Sequence, residues 1–204
     1  MAASRSKKKS FSPWAAIHAP APSKLKAHPI TPTGYLLITV VFLTWYYNTS
    51  LAVKLQCLIG AGLFSCTEYT FYMNTTEDLD GTVSVRPFAG RPGHTTIHQY
   101  IMNVFYIPIL IHGYHALISS TALRILFFPL NIWVLEIIEG YTIIYLLGYN
   151  AAWVYRGWDA LFHGTIKLWY IHYWYLMGAA LELVVLPHVL PITYTAATIL
   201  SAIF

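Results

Sequence analysis

Long apolar runs separated by short polar segments dominate the pattern of this chain. The runs cover residues 33–47, 50–73, 98–123, 130–149 and 164–186. A further apolar tail follows Pro187. Because a helix needs roughly 20 apolar residues to cross a bilayer, the first run is short and fits a tilted or interfacial helix. The pattern predicts an all-α transmembrane bundle of five membrane helices, or six if the tail also spans.

Helix-breaking and polar residues between the runs predict the connections. Residues 124–129 end on a proline, which cannot continue a helix interior without losing a hydrogen bond, so we expect a tight turn there. The two flanking helices should then be antiparallel neighbours. The segment 74–97 is a polar loop with several breakers, and a second loop at 150–163 carries Arg156. Counting spans from the N terminus places both loops on the side of the N-terminal arm.

Composition supports a membrane class. Hydrophobic residues make up 57% of the chain and charged residues only 10%, with a mean hydropathy of +0.54. A soluble domain carries about 25% charged residues, so this chain has too few charges to cover a water-facing surface. We therefore expect one integral membrane domain at 33–204, preceded by an arm at 1–32.

The N-terminal arm is basic and rich in proline. Its six lysine and arginine residues are not balanced by any acidic residue. The positive-inside rule places such an arm on the cytoplasmic or matrix side. Three interpretations stay open: a mitochondrial targeting segment, a solvated basic tail, or an extended segment on a partner protein or on anionic headgroups.

Charged residues inside or against the apolar runs are the strongest signal for chemistry. They are Glu136, Glu139, Lys167 and Glu182. A carboxylate at the bilayer centre costs roughly 2.5 to 3.5 kcal/mol on insertion scales, so such a group faces other helices, a polar partner or a watery cavity. We expect Lys167 to lie one turn into a helix and to extend to the interface.

Histidines and glutamates form a candidate polar cluster. The candidates are His112, His115, Glu136, Glu139, His172 and Glu182. The first four form two pairs with a spacing of three, so each pair lies near one helical face, and a tight turn between their helices would bring the pairs together. The cluster is then either a transport site or proton relay, or a set of structural hydrogen bonds. The Glu-x-x-His element of di-iron bundles is missing, so we expect no metal and no cofactor.

Aromatic residues concentrate around the last loop and helix. An aromatic belt at the membrane interface accounts for Trp153, Tyr155 and Trp158. Trp169 and Trp174 lie deeper in the last apolar run, where we expect contacts with neighbouring helices, lipid or another subunit.

Several positions from the fourth helix onward resemble one family. They are Glu136-x-x-x-Gly140, Trp153-x-Tyr155, Gly164-x-Ile166, Tyr170, Trp174 and Glu182. Their order and spacing resemble the ABC-transporter type IV family of CmpB-like small membrane proteins, over about residues 55–186. The chain departs from the family pattern at Leu135, Val154 and Trp169, where the family has Trp, Asp and Glu. The resemblance implies a four-helix membrane core, and the family name implies transport.

Two functions follow from these patterns. The chain has no phosphate-binding glycine loop, serine nucleophile elbow or Cys-x-x-Cys pair, so we expect no catalysis and no nucleic-acid partner. The preferred interpretation is an accessory subunit of a larger membrane complex, in contact with lipids and other subunits. The acid-free arm favours the mitochondrial inner membrane over the endoplasmic reticulum or plasma membrane. The alternative is a small transporter or ligand-binding membrane protein, which a cavity at the Glu/His cluster would favour.

Overall fold

The computed structural model describes residues 27–87 and 92–203, which are mostly helical. Five helices lie in these ranges: α1 (Pro32–Asn48), α2 (Leu51–Asn74), α3 (97–117), α4 (Thr121–Leu147) and α5 (Leu168–Ile203). Helix α3 has a π-helical part at Ile109–Tyr114, and α5 has one at Leu181–Val185. Most of the predicted basic arm, residues 1–26, lies outside the described residues.

Three of the five helices are long and apolar enough to cross a membrane. These are α2, α4 and α5. The membrane class is therefore confirmed, but the count of five spans is not supported. Helix α1 has only 17 residues, and the regular α-helical part of α3 has 12. The predicted fifth helix and the apolar tail form one continuous helix, so they do not count as two segments.

Two helix boundaries that we predicted from proline positions are wrong. The tight turn between α3 and α4 lies at residues 118–120, not at 124–129, and Pro129 lies inside α4. Helix α5 likewise continues through Pro187 and Pro191. Helices in a membrane tolerate proline because neighbouring groups and local changes of helix type satisfy the freed carbonyls. The π-helical part of α5 indeed ends just before Pro187.

Two small antiparallel hairpins interrupt the predicted all-α fold. Strand β1 (Thr75–Glu77) pairs with β2 (Val83–Val85), and β3 (Ala160–Leu161) pairs with β4 (Ile166–Lys167). The second hairpin occupies the predicted start of the last helix, where Gly164 adopts a positive φ of 77°. Helix α5 therefore begins later than predicted.

The two hairpins lie at one end of the bundle and are held together by Lys167. Its ammonium donates to the carbonyl oxygens of Gly81 (2.9 Å) and Arg156, and it pairs with Asp159 (3.0 Å) and Glu77 (3.2 Å). The expectation that Lys167 extends from a helix to the interface is wrong, because the side chain is only 1% exposed. The loops do lie on one side of the bundle, as expected.

The end of the N-terminal arm reaches the same side. The backbone N–H of His28 donates to the carbonyl oxygen of Tyr145 (2.9 Å), near the end of α4. The two rings also stack, with centroids 4.6 Å apart. This contact places the last described part of the arm beside the end of α4 that leads into the second loop.

The interior is built mainly by α3, α4 and α5. Tyr106, Leu110 and Tyr114 of α3 form a buried cluster with Phe128 and Ile132 of α4. Trp174, Met177 and Leu181 of α5 pack against this cluster. Helix α2 packs against both α3 and α5. Because lipid tails are as apolar as these side chains, close packing holds such helices together more than exclusion from water does.

Glycine at 140 lets the β3–β4 loop approach α4. A Cβ added there would lie 2.5 Å from Cγ2 of Thr165. We expect Gly140→Ala to lower the free energy of unfolding by about 1 to 3 kcal/mol through overpacking. Gly62→Ala is the matched control, because the space around its added Cβ is open, and alanine there favours the helix by about 0.5 to 1 kcal/mol. Thermal unfolding in detergent should separate the two variants, and equal shifts would refute the close approach.

Candidate functional site

A cavity lies between the helices. Its volume is about 420 Å³, and residues of α2, α3, α4, α5 and the loop before α5 line it. Most of the wall is apolar, including Leu63, Phe64, Leu110, Met177 and Leu181. Ligand pockets typically enclose about 300 to 1,000 Å³ with mainly hydrophobic walls and a few polar groups. The cavity has the size and character of a site for a small hydrophobic molecule.

The polar part of the wall carries only acidic and neutral groups. The carboxylates are Glu68, Glu136 and Glu139, and the amides are Gln56, Gln99 and Asn103. No lysine, arginine or histidine is found among the described residues that line the cavity. A cleft lined by one sign of charge concentrates ions of the opposite sign. This wall therefore favours positively charged or hydrogen-bonding groups.

Four buried polar atoms of the wall lack a hydrogen-bond partner within the described residues. They are Oε1 of Gln99, Nδ2 of Asn103, Oε2 of Glu136 and Nε1 of Trp174. Gln99, Asn103 and Glu136 are each at most 9% exposed. Leaving a buried polar group unpaired costs about 1 to 3 kcal/mol, and such groups call for a bound molecule or water. The four atoms mark the polar part of the candidate site.

Two aromatic residues of the loop cover one end of the cavity. The hydroxyl of Tyr155 donates to Oε1 of Glu136 (2.9 Å), and the indole N–H of Trp153 donates to the carbonyl oxygen of Thr165 (2.8 Å). Burial, and then the negative charge of Glu136, raises the pKa of Tyr155 well above its usual value. The Tyr155 hydroxyl thus stays protonated as a donor.

The aromatic residues predicted as an interfacial belt have different environments. Trp153 and Tyr155 line the cavity, as does Trp174. Trp158 is 85% exposed and Trp169 is 42% exposed. Trp158 and Trp169 are thus surface residues, whereas Trp153 is a buried wall residue with 8% exposure.

Glu182 belongs to a separate ion cluster. Its carboxylate accepts from Nε (2.9 Å) and Nη2 (2.8 Å) of Arg124 and pairs with Nε2 of His115 (2.9 Å). Arg124 also donates to the carbonyl oxygens of Ile118 and Ser119, both at 2.8 Å, at the end of α3. The cluster connects α3, α4 and α5, and none of its three side chains lines the cavity.

His112 belongs to a third group. Its Nε2 lies 3.2 Å from Oε1 of Gln56, whose Nε2 donates to Oγ1 of Thr193 (3.2 Å). His172 is exposed and lies edge-on to the Trp169 ring, with centroids 4.6 Å apart. The expected approach of the histidine pair to Glu136 and Glu139 therefore does not occur. Because the α3–α4 turn comes earlier than predicted, different residues of the two helices face each other.

The sequence interpretation missed several residues of these groups. They are Gln56, Glu68, Gln99, Asn103 and Arg124. One signal was present: Gln99 and Asn103 are four apart in an apolar helix, so they share one face. Arg124 was read as part of a turn, although apolar residues continue on both of its sides.

Within residues 27–87 and 92–203, no group of three His, Cys, Asp or Glu side chains is placed to hold a metal ion. No family model, no curated protein and no solved structure matches this chain. The resemblance to CmpB-like proteins therefore stays a prediction from the sequence.

Proposed function

We propose that this protein is a non-catalytic membrane protein that binds a small amphiphilic molecule in the cavity between its helices. The observation that carries the proposal is the set of four buried, unpartnered polar atoms in the wall of a largely apolar cavity. An amphiphile satisfies both parts of this wall. Its polar group pairs with those atoms, and its apolar part fills the space between α2, α3, α4 and α5.

The construction of the wall supports a ligand-binding role more than a packing role. A structural polar group in a bundle normally finds a partner on a neighbouring helix, as Glu182 does with Arg124. Oε1 of Gln99 and Nδ2 of Asn103 have no such partner among the described residues. Buried polar atoms without a partner destabilise the empty bundle, and a bound molecule that forms hydrogen bonds with them removes this destabilisation.

The family resemblance points in the same direction. Of the positions that carry it, Glu136, Trp153, Tyr155, Tyr170 and Trp174 line the cavity. A transport role would use the same site, because a transporter must first bind its substrate.

Co-purification tests the proposal. The protein, extracted from its native membrane in mild detergent, should carry a small-molecule adduct in native mass spectrometry. Leu135→Trp places a larger side chain in the cavity wall and should abolish the adduct, because the indole occupies the ligand's space. Overpacking of this kind costs about 1 to 3 kcal/mol of stability, so the variant's folding is checked by thermal unfolding.

Val134→Trp is the matched control, because Val134 is the preceding residue of α4 and is 56% exposed. This variant should keep the adduct. An adduct retained by a folded Leu135→Trp protein would refute binding in the cavity. The same holds if the wild-type protein carries no adduct.

A second function, the accessory subunit, is favoured by helix α1. None of its 17 residues is buried, and Leu36, Leu37 and Val41 are each at least 60% exposed. We propose another membrane subunit as its partner, in a complex such as a mitochondrial inner-membrane assembly. Separation of mildly solubilised membranes by size, with mass spectrometry of each fraction, tests this. Co-migration with a large assembly is expected, and migration as a small free species would contradict it.

A further inference from the structure

The carboxylates of the cavity differ from other buried carboxylates of this protein in their partners. Glu182 is paired with Arg124 and His115, and Asp159 is paired with Lys167. In the cavity, the hydrogen bond to the buried Glu136 comes from the neutral hydroxyl of Tyr155 (2.9 Å), and the half-buried Glu68 accepts from the neutral hydroxyl of Thr95 (2.6 Å). A buried negative charge without a positive partner is costly, and a cation supplied by a ligand removes that cost.

Aromatic rings surround the same end of the cavity. Phe71 lies 5.3 Å from Tyr170 and 5.1 Å from Tyr173, and Tyr155 lies 5.2 Å from Tyr170, all between ring centroids. All four residues line the cavity, and the Tyr155 hydroxyl donates a hydrogen bond to Glu136. The face of an aromatic ring attracts a cation within about 6 Å. Carboxylate and rings together form a site suited to an ammonium group.

The unpartnered atoms specify more than a charge. Oε2 of Glu136 and Oε1 of Gln99 are acceptors, whereas Nδ2 of Asn103 and Nε1 of Trp174 are donors. An ammonium group supplies N–H donors for the first pair. A hydroxyl group supplies lone pairs for the second pair. A head with both groups therefore matches the two acceptors and the two donors, whereas the carboxylate of a fatty acid supplies acceptors only.

We infer that the ligand is a long-chain amino alcohol, with its ammonium group on Glu136 beside the other cavity carboxylates and its hydroxyl group on Asn103 and Trp174. This inference rests on the proposed function and specifies its ligand class. The apolar chain extends along the wall that Leu63, Phe64 and Leu110 help to form. Binding requires no covalent step, so the protein need only exchange the molecule with the membrane.

Equilibrium binding to the full chain in neutral lipid nanodiscs tests the inference. The probes are sphinganine, octadecanol and stearic acid, which have equal chain lengths and differ in their polar groups. Sphinganine should bind about tenfold or more tightly than the other two, because hydrogen bonds to a charged group are worth about 1.5 to 3 kcal/mol. Glu136→Gln with Glu139→Gln should remove this preference, so that sphinganine and octadecanol bind to the variant with similar affinity.

Asp78→Asn with Asp80→Asn is the matched control, because it also removes two carboxylates, but both lie exposed in the β1–β2 loop. It should leave the sphinganine preference intact, which excludes a general attraction of the amine to a negative surface. Equal binding of sphinganine and octadecanol would overturn the amino alcohol while leaving the proposed cavity function standing. If all three probes fail to bind, the amino alcohol is also refuted, and the co-purified adduct decides the proposed function separately.

Discussion

Arg124→Met should lower the free energy of unfolding by about 3 to 5 kcal/mol, the largest loss we expect from any single substitution. The arginine and Glu182 are both nearly inaccessible, with 9% and 3% side-chain exposure. Without the arginine, the buried Glu182 carboxylate keeps only the His115 imidazole as a partner, and breaking a buried ion pair is strongly destabilising. The substitution also removes the donors to the carbonyl oxygens of Ile118 and Ser119. Unfolding in increasing SDS, followed by tryptophan fluorescence, measures the loss.

The double variant Arg124→Met with Glu182→Met separates a lost charge partner from lost packing. Replacing both members of a buried pair by apolar residues is often neutral, so the double variant should recover most of the stability. Arg86→Met is the control for loss of a surface arginine, because Arg86 is exposed. If Arg124→Met is as stable as wild type, the pair does not hold α4 to α5.

Lys167→Met is expected to have the second-largest effect, also about 3 to 5 kcal/mol. The substitution leaves the Asp159 carboxylate buried without its cation and frees the carbonyl oxygens of Gly81 and Arg156. Because Lys167 connects the two hairpins, the loop that carries Trp153 and Tyr155 should become accessible. Limited proteolysis of that loop, together with SDS unfolding, is the measurement.

Lys54→Met provides the comparison for Lys167→Met. The Lys54 ammonium lies 3.7 Å from the centroid of the Tyr46 ring, a cation–π contact worth about 0.5 to 1 kcal/mol at an exposed site. A loss of that size is expected, without a new cleavage site in the Trp153 loop. Equal losses of stability in the two lysine variants would contradict the link between the hairpins. So would a Trp153 loop that still resists proteolysis in Lys167→Met.

Single-sequence patterns were sufficient for the class of this protein and for part of its site. Apolar runs of spanning length predicted α2 and α4, and the charges within them predicted a polar interior. Glu136, Glu139, Trp153 and Tyr155 were all named as candidates, and all line the cavity. The glutamates stand out in the sequence because burying a charged group in an apolar run is costly wherever the helices lie. Trp153 and Tyr155 were expected at the membrane interface, and they line the cavity instead.

The remaining features depend on contacts between distant parts of the chain. Lys167 resembles an interfacial lysine in the sequence, and only the fold brings it to Glu77 and Gly81. His115 and Glu182, both candidates of the predicted cluster, do pair, but their partner Arg124 was expected in a turn because Pro129 suggested the wrong position for it. No short sequence pattern predicts the cavity. It is the space between four helices, and its shape depends on how those helices pack against one another.

Photo-crosslinking with a diazirine-bearing long-chain amino alcohol tests the central claim most directly. Adducts on the purified full chain should map to cavity-lining segments of α2, α4 and α5, and excess unlabelled sphinganine should compete them away. They should be lost in Leu135→Trp and retained in Val134→Trp. Adducts spread over the exposed surface of α1, unaffected by competitor and by Leu135→Trp, would contradict a ligand site between the helices.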